Sequence, residues 1–196
     1  MLSSGTIRRC SERCQAGARA PVAAGAHFRW SRTGRAATAS GGAHGPVVRH
    51  REQSRARPAA RLVDRLRDGE LARPLDAGWT VGAVLAHLAF WDQRTLILIE
   101  RWEKEGSRAV PRSIDSKDVD WINDSAKALC LALPPRAAAR LAVAVADAVD
   151  RRVETLSDEL VAANAGAGSP INLLRAEHRQ EHLDEIERAF GQGRAR

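Results

Sequence analysis

From residue 47 onward, apolar residues return every three or four positions, the period of helices that bury one face. The clearest stretch is Val81 to Glu105, with Val81, Val84, Leu88, Trp91, Thr95, Leu98 and Trp102 on one stripe. Asp76-Ala77-Gly78 forms a turn before it, Thr80 supplies an N-cap, and Gly106 ends it. After a polar loop, Val119, Ile122, Ala126, Leu129 and Leu133 step by three and four and predict a second amphipathic helix. Pro134-Pro135 stops that helix and opens another, Arg136 to about Leu156, with Leu141, Val145, Val149 and Val153 on its inner face. Ser157 caps a short turn through Ala163, and Ala165 to Gly168 reads as a linker. Ser169 and Pro170 then take N-cap and first-turn positions for a last helix, Ile171 to Phe190.

The first helix is harder to place. Leu62, Val63 and Leu66 have helical spacing within Val47 to Asp68, and Gly69 is a plausible stop. Pro58 either breaks this helix or starts a shorter one. No strand pattern occurs. The expected fold class is all-α, a four-helix bundle over residues 47–196 behind a disordered N-terminal extension, 1–46.

Composition changes the picture in one respect. The net charge of +7 over 196 residues suggests nucleic-acid binding, but the charge is unevenly placed. Residues 1–60 hold eleven Arg against Glu12 and Glu52, whereas residues 61–196 hold 20 basic and 22 acidic residues. The folded part therefore lacks the cationic excess that a phosphate-binding face needs, and no nucleic-acid partner is expected for it. The extension, rich in Gly, Ala, Ser and Arg, fits disorder, an organelle transit peptide or a start codon placed too far upstream. Cys10, Cys14 and His27 within it match no common metal spacing. Three cysteines exclude a disulfide scaffold and suit the cytoplasm, and no apolar run approaches a membrane span.

Candidate chemistry lies in the last helix, at His178-Arg179-Gln180-Glu181-His182. Two His at i and i+4 share a helix face and can reach one divalent ion. The predicted stripe Ile171, Leu174, His178, His182, Ile186 and Phe190 turns both rings inward. His87, between Val84 and Trp91, is a third ligand from a second helix. Three His ligands leave a position open for water or substrate, the arrangement of catalytic metal sites. The same residues also read as buried core histidines. HRQEH matches the inverzincin protease signature, but that signature requires a distant downstream acidic ligand and only 14 residues follow His182. Trp91 is a candidate pocket wall, with core packing as the alternative. Arg94 and Arg175 could receive an anionic group, with a solvated face as the expectation for both.

Gly78-Trp79-Thr80-Val81, then Leu85-Ala86-His87-Leu88-Ala89-Phe90-Trp91-Asp92, together with the terminal His-x3-His, resembles the DinB-like four-helix bundles. These include the thiol-dependent maleylpyruvate isomerase N-terminal domain group. The resemblance spans roughly residues 47–190. It implies an up-down-down-up bundle and a divalent metal, zinc or nickel, on His87, His178 and His182. It also implies a transferase or isomerase acting on a small molecule with a low-molecular-weight thiol. The alternative is a non-enzymatic bundle that binds metal or a small ligand, or that mainly forms a homodimer.

Overall fold

The computed structural model of the chain describes residues 56–192. The basic segment 1–46, expected to be disordered, lies outside the described residues. Seven α-helices and no strands occur among the described residues: α1 (Ala56–Arg65), α2 (Asp68–Leu71), α3 (Val81–Glu105), α4 (Ser116–Ala132), α5 (Pro135–Glu154), α6 (Asp158–Gly166) and α7 (Arg175–Gln192). The fold class is all-α, as the periodicity predicts.

Capping chemistry explains most boundaries. The Thr80 side chain accepts from the Ala83 backbone N–H at 3.1 Å, and Gly106, at φ 82°, closes α3. Asp115 caps α4 by accepting from the N–H groups of Lys117 and Asp118. Ser157 accepts from the Leu160 N–H at the start of α6. Pro58 lies within α1, which continues from it to Arg65, and the residues before Ala56 lie outside the described residues.

Four expectations need correction. Gly69 does not stop the first helix but lies inside α2. The inner face of α4 is Asn123, Ala126 and Cys130, while Leu129 is 73% exposed. In α5, Leu141 points outward, and Ala138, Ala142, Val145, Val149 and Val153 are buried. The last helix begins at Arg175, four residues later than Ile171, so Ser169 and Pro170 do not cap it and Leu174 is exposed. The reason for the delay is local: the Asn164 carboxamide accepts from the Ile171 N–H and donates to the Ile171 carbonyl, at 3.0 and 2.9 Å. That clip satisfies the backbone outside a helix, and the Asn172 side chain then accepts from the Leu174 N–H.

Helix directions follow from cross-helix contacts. Gly82 at the start of α3 lies against Pro135 at the start of α5, and Glu103 near the end of α3 pairs with Arg152 near the end of α5. These two helices run in parallel. Their C-terminal halves share a core of Leu98, Ile99, Trp102, Val149 and Val153 with residues of α6. Arg136 at the start of α5 donates to the Leu66 carbonyl and pairs with Asp68, so α1 runs antiparallel to α5. His87 meets His182 whereas Asp92 meets Arg175, so α3 and α7 are antiparallel. Helices α1, α5, α3 and α7 each pack on the next, and α7 returns to α1. The directions along the chain are up, down, down, up. Helix α4 lies on the crossover that the parallel α3–α5 pair requires, fastened to α3 by the Trp91 Nε1–H donating to Asn123 Oδ1 at 3.0 Å.

Candidate metal centre

The antiparallel α3–α7 pair builds the site. His87 lies on the buried stripe of α3, two turns after the Thr80 cap that sets the helix phase. His178 and His182 stand one turn apart on α7, as their i, i+4 spacing dictates. One ligand-capable atom from each of His87, His178 and His182 falls within 4.8 Å of the others. Their ring centroids lie 5.6 Å (87–178), 5.1 Å (87–182) and 4.8 Å (178–182) apart. Nitrogens bound at about 2.1 Å to one tetrahedral ion stand roughly 3.4 Å apart, so the three rings need a modest closure to reach one ion. The donor set fits a divalent ion.

Electrostatics agree with that fit. Burial, with the neighbouring His182 and Arg175, lowers the His87 pKa to about 3. Burial, Arg175 and the other two imidazoles hold His178 well below the ordinary histidine range. Both rings are therefore neutral at physiological pH, the protonation state that ligates metals. The Nδ1 atom of His182 lies 3.0 Å from Glu185 Oε2. A carboxylate can only accept, so this contact places a hydrogen on Nδ1 and makes Nε2 the nitrogen that could ligate.

Behind the imidazoles lies a buried ionic network. Asp92 is 0% exposed. It accepts from Arg175 Nε on one oxygen at 2.7 Å and from Arg179 Nη1 on the other at 3.0 Å. Arg179 Nη2 continues to Asp150 Oδ1 at 2.5 Å. Two guanidiniums and two carboxylates thus balance in formal charge, the condition for keeping ions out of water. Arg175 also donates from Nη2 to His178 Nδ1 at 2.8 Å, which joins the network to the histidines. The solvated-face expectation for Arg175 is overturned: the residue is 2% exposed.

Trp91 is buried, with its ring edge-on to His87 at 6.3 Å, so it borders the cluster while also joining the core. The Trp79 ring lies edge-on to His87 at 5.7 Å. Arg94 stacks over Trp91 with its guanidinium carbon 5.6 Å from the ring centroid. Its pKa is lowered by partial burial and by Arg175. Glu181, the acidic residue of HRQEH, is exposed. Sequence reasoning gave no role to Asp92, Asp150, Arg179 or Glu185. The available signal was a charged residue on an otherwise apolar stripe, as Asp150 is between Val149 and Val153.

Residues 53–176 match the family described as the mycothiol maleylpyruvate isomerase N-terminal domain. The match includes His87 and ends before His178 and His182, which the fold brings to it. No curated protein and no solved structure matches the chain.

Proposed function

Because the chain belongs to the mycothiol maleylpyruvate isomerase N-terminal domain family, we propose that it is a divalent-metal-dependent enzyme that transfers or isomerises with a low-molecular-weight thiol. The thiol in the family's description is mycothiol. The observation that carries this reading is the convergence of His87, His178 and His182, with ligand-capable atoms within 4.8 Å. These three residues would hold the ion, zinc or nickel, with Glu185 orienting His182. An ion in such a three-His site supplies Lewis acidity, which lowers the pKa of a thiol and keeps it as the nucleophilic thiolate at neutral pH.

The chain's own residues prepare that chemistry. Burial keeps His87 and His178 neutral, the protonation state that a metal ligand needs. Trp79 and Trp91 flank His87 with apolar rings that limit access of water. Arg94, half-buried over Trp91, offers a guanidinium to an anionic group of a small-molecule substrate. The buried free thiol of Cys130 supports a reducing, cytoplasmic setting. No helix among the described residues is long and apolar enough to cross a membrane.

The test is turnover of maleylpyruvate and other small electrophiles with mycothiol or simpler thiols, with and without added zinc or nickel. Thiol-dependent turnover that requires the ion and disappears in the His178→Ala, His182→Ala variant is the expected result. A metal-loaded protein inert across the whole panel would favour a binding module built on the same three histidines.

A further inference from the structure

The two histidines of α7 carry opposite hydrogen-bond polarity, and this difference has a chemical meaning. His182 faces an acceptor, the Glu185 carboxylate. His178 faces a donor, Arg175 Nη2, at 2.8 Å from its Nδ1. A guanidinium has five N–H donors and no acceptor, so the lone pair in this bond belongs to His178 Nδ1. The hydrogen of the neutral His178 ring then lies on Nε2. A neutral imidazole that ligates a metal uses the lone pair of one nitrogen and keeps its hydrogen on the other. If Nδ1 is the ligand, its lone pair is no longer available to Arg175. If Nε2 is the ligand, the hydrogen moves to Nδ1 and points at a donor. Neither arrangement is compatible with the Arg175–His178 bond.

Arg175 does not occupy this position loosely. Its Nε is fixed to Asp92 Oδ1 at 2.7 Å, and Asp92 is held in turn by Arg179, itself paired with Asp150. The anchor uses the Nε edge of the guanidinium and leaves Nη2 as the donor that reaches His178. On the metal-centre reading above, we propose that Arg175 is a positioning residue that fixes His178 with its hydrogen on Nε2, so that metal entry and the Arg175–His178 hydrogen bond exclude one another. Asp92 and Arg179 set the strength of this latch by holding Arg175 in place.

Long-range 1H–15N NMR of the metal-free full chain at pH 8 reads the tautomers directly. The expected result is His178 as the Nε2–H form and His182 as the Nδ1–H form. His178 with its hydrogen on Nδ1 would overturn the proposal. A second arm titrates zinc alone into the wild type and the Arg175→Met variant by calorimetry. An Asp92→Asn, Arg175→Met double variant stands in if the single change unfolds the protein by leaving Asp92 short of a partner. Loss of a charge-assisted hydrogen bond that opposes loading predicts about tenfold tighter zinc binding or more in the variants. Equal or weaker binding in a folded variant sinks the latch and leaves the metal reading standing. Zinc taken up by neither wild type nor variants overturns the metal reading and the latch together.

Discussion

His87 reaches the centre of the molecule without a charge, and that has a cost at low pH. Its pKa in the folded chain is about 3, against an ordinary value of 6.5. The unfolded chain therefore binds more protons than the folded one across that interval. Stability from this group is fully present above about pH 6.5 and is lost as pH falls towards 3, at up to about 1.4 kcal/mol per pH unit. Urea denaturation of metal-free protein between pH 7 and pH 4 should show this decline, flattened in His87→Gln. The three histidines were legible in the sequence because spacing alone sets a helical face. The network behind them was not. Arg179 and its partner Asp92 are 87 positions apart, and a charged residue on an inner stripe reads as solvated until its partner is known.

Elements were legible wherever a cap or a breaker marks an end. Thr80, Gly106, the Pro134-Pro135 pair and Ser157 each fall within a residue of an observed boundary. Faces were less legible, because periodicity weighs apolar size while close packing rewards small side chains. In α4 the buried face is Asn123, Ala126 and Cys130, and the larger Trp121 and Leu129 point outward. The start of α7 was misplaced because a tertiary clip from Asn164 overrides local signals. Close helix approach also gives Gly82 a specific role: a Cβ there would lie 2.9 Å from both Cα and Cβ of Pro135. Backbone cannot yield as a flexible side chain does. Gly82→Ala should therefore destabilise the protein by about 1–3 kcal/mol despite its better helix propensity. Chemical denaturation checks this, and a stabilised variant would mean that α3 and α5 do not meet there.

At the scale of the molecule, one topological fact ties the fold to the site. Running α3 and α5 in parallel demands a long crossover, which α4 occupies, and it leaves α7 to return antiparallel beside α3. That return places His178 and His182 opposite His87, although the family match ends at residue 176. The all-α class was readable from stripes and prolines, whereas the up-down-down-up arrangement was implied by the family resemblance, with which the long 106–135 connection is compatible. The charge balance was equally readable, since the basic excess lies in residues 1–60. The central claim is that three histidines from two helices form one metal site. Metal content by mass spectrometry tests it most directly, on the purified full chain supplied with zinc or nickel, beside a His178→Ala, His182→Ala variant. The account predicts near one ion per wild-type chain, lost in the folded variant. A folded wild-type protein that takes up neither ion would contradict it.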